Sequence, residues 1–234
     1  MIDSSALRAR LEAIRSRIER AAGRAKRDPA SIRLVAVSKT FPADYVSALA
    51  DAGQRDFGEN KVQEALQKMH ATSTLPLHWH LVGHLQSNKA KKAARFDTVH
   101  SIDSAALVGK LEEAAAAERR HIDLLVQVDL AGEATKFGAR EEELAGIFAA
   151  ARGCRAVRAT GLMLLPPAFD DPEGSRRFFR ELRGVRDRLI GRGVEAAMLG
   201  ELSMGMSHDF EVAIEEGATL VRVGTALFGH RAYL

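Results

Sequence analysis

The sequence predicts an α/β protein, a (β/α)8 TIM barrel with one extra helix in front. Three observations predict it. Eight short apolar or β-branched runs are each followed by a longer stretch with helical spacing, glycine, proline or capping residues stand between them, and no linker or low-complexity tract divides the 234 residues. Strict alternation with right-handed crossovers makes a parallel sheet, and eight repeats fit a closed barrel of roughly 200–250 residues. An open doubly wound sheet is the competitor, but the first strand–helix junction, SKTFPAD, lacks the glycine-rich dinucleotide turn. One domain over residues 1–234 is therefore expected, with residues 1–28 as a helix packed on the barrel.

In that leading helix Leu7, Leu11, Ile14 and Ile18 recur at spacings of four, three and four, an apolar stripe that packs on the domain. The same 28 residues carry eight basic groups against four acidic ones. A basic helix can touch phosphate backbones or anionic lipid. Because no stacking aromatic or nucleic-acid motif accompanies the charge, a solvated face is the better reading, and neither nucleic acid nor membrane is expected as a partner. The strands are expected at Arg33–Val37, Arg55–Phe57, Leu77–Val82, Thr98–Ser101, Asp123–Asp129, Ala156–Leu162, Ala196–Leu199 and Thr219–Val223. Helical patterns follow each one, for example Ala43–Ala50, Lys61–His70, Glu141–Arg152 and His208–Glu215, with Pro42, Asn60, Ser104 and Ser207 as opening residues.

Composition narrows the class further. With 46% hydrophobic and 28% charged residues the chain is neither disordered nor fibrous. No apolar run approaches the ~18–20 residues of a membrane span, and the charged N-terminus does not suit a signal peptide. The single cysteine, Cys154, forms no internal disulfide or structural zinc site, so a cytoplasmic location is expected.

In such a barrel the chemistry sits at the C-terminal ends of the strands. LVAVSKT ends with Lys39 at the mouth, either a surface lysine or an amine desolvated enough to act as a Schiff-base nucleophile. After strand seven, Ser203, Gly205 and Ser207 crowd a loop that opens a helix near His208, and after strand eight Gly224 and Thr225 open another. Two helix N-termini with small and hydroxylated residues make a phosphate cup. Arg222 is a charge inside the apolar strand VRV, which demands a ligand or a carboxylate in the barrel wall. A lysine, a phosphate cup and an arginine between them are the parts needed to hold pyridoxal 5′-phosphate. His78, His80 and His84 crowd seven residues but lack an acidic neighbour in sequence, so no metal is expected, and His80 is read as a ring-contacting or core histidine. Lys89, Lys91 and Lys92 are read as a solvated face.

The segments VSKTFP, FGENKVQEA, WHLVGHLQSNK, VHSIDS, GEATKFG, GLMLLPP and LSMGMSHDFEVAIEEGATLVRVGTALFG resemble the pyridoxal phosphate homeostasis protein family, single-barrel relatives of the alanine racemase N-terminal domain. The resemblance runs from about Arg33 to Gly229. It implies a fold type III barrel in which Lys39 carries the cofactor as an aldimine, Ser207, Gly224 and Thr225 with Ser203 hold the phosphate, Arg222 faces the pyridine nitrogen, and Asn60 lies beside the ring. Lys61 stands where the family usually has tyrosine, and DLAGEATKFG differs from its usual asparagine-rich opening. A cation facing the pyridine nitrogen disfavours its protonation and weakens the cofactor as an electron sink. The implied function is therefore intracellular cofactor homeostasis, buffering or delivering pyridoxal phosphate without turnover, with pyridoxal-phosphate-dependent apo-enzymes as recipients and a monomer or weak homodimer as the assembly. A racemase-like enzyme is the alternative. Racemisation needs acid/base groups on both faces of the substrate carbon, and the chain's tyrosines are only Tyr45 and Tyr233. A class I aldolase-like barrel using Lys39 is a further alternative.

Overall fold

The computed structural model describes residues 3–132 and 137–229. Helix α1 (Ser4–Arg24) leads into β1 (Arg33–Val37), α2 (Ala43–Asp51), β2 (Asp56–Glu59), α3 (Val62–Ala71), β3 (His78–Leu81), α4 (Ala90–Ala93), β4 (Thr98–Ile102) and α5 (Ala105–Ala117). There follow β5 (Ile122–Gln127), α6 (Glu141–Arg152), β6 (Val157–Met163), α7 (Arg176–Gly191), β7 (Glu201–Ser203), α8 (Phe210–Glu215), β8 (Leu220–Val223) and α9 (Thr225–Phe228). The eight strands close in sequence order as a parallel barrel, the seam being β1 against β8 with Arg33 opposite Leu220 and Ala36 opposite Val223. The expected (β/α)8 barrel with a leading helix is therefore the observed fold.

Strand periodicity divides the core into two layers. Leu34 and Ala36 of β1 join the large apolar layer between strands and helices, whereas Val35 and Val37 join Val82, Leu125, Met163 and Leu220 in a smaller cluster within the barrel. The barrel interior also holds polar groups, His80, His100, Ser203 and Arg222, all buried.

Helix α1 packs as its stripe predicts. Asp3 caps it by accepting from Ala6 N–H, and Leu7, Leu11, Ile14 and Ile18 are all buried. Its cations and one just after it are partly committed to the barrel: Arg17 pairs with Glu211 at 3.1 Å, Arg24 with Glu215 at 2.6 Å, and Arg27, beyond the helix end, donates to the carbonyls of Ile214 and Ala218. Burying the four apolar side chains is worth roughly 1.5–3 kcal/mol each before ordering costs.

Two local expectations are corrected. The run Ala196–Leu199 is a 3-10 turn, and strand seven lies after it at Glu201–Ser203. A short apolar run does not distinguish strand from helix, and Ala-Ala-Met-Leu contains no β-branched residue. The capping roles also shift. Ser104 does cap α5, accepting from Leu107 N–H, but Asn60 precedes α3, whose cap position is Lys61. Ser207 lies before α8, whose cap position is Asp209.

Candidate cofactor site

At the C-terminal ends of the strands lies a cleft of about 840 Å³, within the usual ~300–1,000 Å³ of small-molecule sites. Five of the eight predicted site residues line it: Lys39, Asn60, Ser207, Gly224 and Thr225, with Arg222 as a sixth at its floor. His80 and Ser203 do not.

Lys39 is the one lysine in the lining among the described residues. It is exposed, which corrects the expectation of an amine desolvated by apolar neighbours, because it falls two residues beyond the end of β1. Its amine makes no hydrogen bond or ion pair among the described residues, while the backbone around it is held firmly. Lys68 of α3 donates to the Ser38 carbonyl at 2.8 Å, to Glu59 at 2.5 Å and to Glu64 at 2.8 Å. Ser38 Oγ donates to Glu59 at 2.7 Å, and Glu64 accepts from Thr40 N–H at 2.5 Å. Thr40 is held in the left-handed region at φ 69°, unusual for a β-branched residue. A buried cation thus fixes both sides of the turn that carries Lys39. Burial raises the Glu59 carboxyl above its ordinary range, with Lys68 and Ser38 opposing the shift, and its Oε2 has no hydrogen-bond partner among the described residues. Sequence reading missed Lys68, Glu59 and Glu64. The only signal was the Glu64–Lys68 spacing of four on α3, which is also the pattern of an ordinary surface pair.

Asn60 is positioned by a close approach of backbone. A Cβ placed on Gly83, after β3, would lie 2.3 Å from the Asn60 carbonyl oxygen, so only glycine allows the two loops to meet there. At the other end, Ser207 Oγ accepts from the N–H groups of Gly224 and Ala226, both at 3.2 Å, and so joins the loop after β7 to the start of α9. The exposed Thr225 stands beside it. The expected hydroxyls and backbone donors are therefore together, although α9 is a single turn.

Arg222 is 3% exposed. Its Nη2 donates to the Leu164 carbonyl at 2.8 Å and its Nη1 to Ser203 Oγ. No carboxylate pairs with it among the described residues, which removes the barrel-wall salt bridge as its explanation. Burial pushes its pKa down to about 10, the field of Asp209 opposing. Ser203 is withdrawn from the phosphate end for a geometric reason: it closes β7 with its side chain inside the barrel, bound to Arg222 and 2.8 Å from His100 Nδ1. His80 is likewise interior, 2.9 Å from His100 and 3.0 Å from Asp56. Asp56 supplies the acidic neighbour that the sequence did not reveal, also 3.7 Å from His78, yet no group of three or more metal-ligating side chains assembles among the described residues. His84 stacks on Phe137 at 3.5 Å, at the cleft wall. Four residues of GEATKFG, 133–136, and Tyr233 lie outside the described residues. Met206 lines the cleft, whereas Met163, Met198 and Met204 are core.

Comparisons with known proteins identify the family and the fold. The family model for the alanine racemase N-terminal domain matches residues 2–232. Among curated proteins, the pyridoxal phosphate homeostasis protein of Aquifex aeolicus is 42% identical over 96% of this chain and 98% of its own length, and that of Pseudomonas aeruginosa is 43% identical over 94% of each. Among solved structures, PipY of Synechococcus elongatus with pyridoxal phosphate bound is 39% identical, covers 95% of this chain and 100% of its own, and superposes with a TM-score of 0.84. Alanine racemase from Corynebacterium glutamicum, at 20% identity, shares the fold with a TM-score of 0.74.

Proposed function

The chain belongs to the pyridoxal phosphate homeostasis protein family, and from that premise we propose that it holds pyridoxal 5′-phosphate in the cleft and buffers or delivers it, without robust turnover of its own. One observation carries the reading. Among the described residues, a single uncommitted lysine stands at the edge of a cleft whose floor is a buried arginine with no carboxylate partner, and whose far end gathers Ser207, Gly224 and Thr225. The volume suits a ligand of this size, and the donor set suits an aldehyde, a ring nitrogen and a phosphate in that order.

When bound, the cofactor supplies an aldehyde that condenses with an amine and a ring that can act as an electron sink. Lys39 offers the amine, and the Lys68–Glu59–Glu64 cluster holds its backbone so that this amine stays at the mouth. Ser207 and the single turn of α9 would hold the phosphate, and Asn60 would lie beside the ring. Arg222, held on Ser203 and Leu164, would present a cation toward the ring nitrogen and disfavour its protonation, which suits retention better than carbanion chemistry. In the test, the purified protein is incubated with pyridoxal phosphate, its visible spectrum is recorded, and it is reduced with borohydride before peptide mapping. A pyridoxyl label on Lys39 is expected. A protein that takes up no cofactor, or a label confined to another lysine, overturns the reading.

A further inference from the structure

A hydrogen-bonded file crosses the barrel interior from the cleft to the opposite rim. Arg222 Nη1 donates to Ser203 Oγ, and His100 Nδ1 lies 2.8 Å from that hydroxyl. His100 Nε2 lies 2.9 Å from His80 Nδ1, and His80 Nε2 lies 3.0 Å from Asp56 Oδ1. Ser203, His100 and His80 are buried, whereas Asp56 opens β2 at the end of the barrel away from the cleft and remains partly exposed beside His78. The charges around the rings are Asp56 of β2, Arg222 of β8, His78 of β3 and Arg33 of β1, the last paired with Glu201 of β7 at 2.7 Å.

Counting donors and acceptors fixes one order for neutral imidazoles and leaves two places, His80 or His100, for one more proton. Arginine only donates and an ionised carboxylate only accepts. With both imidazoles neutral, Asp56 requires the proton on His80 Nε2. His80 Nδ1 then accepts from His100 Nε2–H, His100 Nδ1 accepts, and Ser203 gives it the one hydroxyl proton. Every bond then runs from Arg222 toward Asp56. With one more proton, His80 donates from both nitrogens, to Asp56 and to His100 Nε2. His100 changes tautomer and donates from Nδ1, and Ser203 keeps its hydroxyl proton but turns it out of the file, accepting from His100 and Arg222 together. Asp56 lies 3.0 Å from His80, whereas the hydrogen-bond partners of His100 among the described residues are His80 and Ser203, so the added proton is placed on His80; burial, with the fields of His80 and Arg222, also holds His100 well below the ordinary imidazole range.

We propose that Asp56, His80, His100 and Ser203 form a tautomeric relay that positions Arg222 and transmits protonation of His80, beside Asp56, to the floor of the cleft. Ser203 and His100 are thereby positioning residues for the ring-nitrogen side of the cofactor, a consequence that rests on the reading of the cleft given above. The relay itself does not.

The first arm uses cofactor-free protein labelled with nitrogen-15 in histidine and arginine. As pH falls, His80 is expected to become doubly protonated, while His100 changes from the Nε2–H to the Nδ1–H tautomer and the Arg222 Nε–H resonance shifts, all with one midpoint. Asp56→Asn keeps an acceptor but removes the counter-charge, and should move that shared midpoint down by at least one pH unit, a tenfold change in proton affinity. Ser203→Ala should leave the His80 titration in place and abolish the step at Arg222, giving a second variant should Asp56→Asn not fold. A His100 that keeps one tautomer through the titration, or an Arg222 resonance that ignores it, overturns the relay. In the second arm the loaded protein should show a step in cofactor absorbance at the same midpoint. A flat spectrum alongside a working relay refutes the coupling to the cleft. Failure to take up pyridoxal phosphate counts against the proposed function alone, because the first arm has already decided the relay.

Discussion

Replacing Lys68 with methionine keeps the length of the side chain and removes its charge. Lys68 Nζ holds three acceptors, the Ser38 carbonyl, Glu59 and Glu64, and both Lys68 and Glu59 are buried. Removing one partner of a buried pair typically costs about 3–5 kcal/mol, because the remaining charge is left uncompensated. Glu59 already has one oxygen without a partner and a carboxyl raised by burial, so the loss should fall at the upper end at pH 8. The sign of the pH dependence follows. A carboxyl whose folded pKa lies above its unfolded value penalises the folded state once pH exceeds the unfolded pKa, and the penalty grows until pH passes the folded pKa. Losing Lys68 raises the folded value further. The stability deficit of Lys68→Met should therefore shrink as pH is lowered from 8 toward 5, and adding Glu59→Gln should restore much of it. Urea unfolding at several pH values measures this, and the same variant should retain less covalently held cofactor because the turn carrying Lys39 loses its anchor. A deficit under about 1 kcal/mol at pH 8, within the range of an exposed pair, or strict additivity with Glu59→Gln, would refute the reasoning.

Lys39→Ala should abolish borohydride-fixed pyridoxyl label while leaving phosphate-dependent binding measurable by equilibrium dialysis; complete loss of binding would place the phosphate contacts elsewhere. Wild-type protein loaded with cofactor and incubated with D- or L-amino acids in deuterated water should show little α-proton exchange, and Arg222→Glu should exchange faster. Sustained exchange by the wild type would favour an enzyme. Leu11→Ala on α1 should destabilise by about 2–5 kcal/mol in denaturant unfolding, since Leu11 is 1% exposed against the barrel; a neutral result would show that α1 does not contribute to the cooperative unit.

The alternation of strands and helices was legible because each element carries its own period, and β1 and α6 lie at the bounds that their patterns set. Strand seven was not, because Glu201–Ser203 is three residues long and the neighbouring apolar run folds as a turn. In the site, Lys39, Asn60, Ser207, Gly224 and Thr225 were readable from their positions after strands, since the barrel brings all strand ends to one face. Ser203 stands in the same kind of position and was misassigned. Its direction depends on whether a strand's last residue faces inward, and a three-residue strand gives no alternation from which to judge.

The sequence by itself determined the barrel, the leading helix, the lysine at the mouth and the family, because local period and motif are one-dimensional properties. Only the tertiary structure decided what supports them. Lys68 and Glu59 are nine residues apart on different elements, Asp56, His80, His100, Ser203 and Arg222 come from five strands, and the two constellations exist only where folding removes water and drives most buried polar groups onto partners.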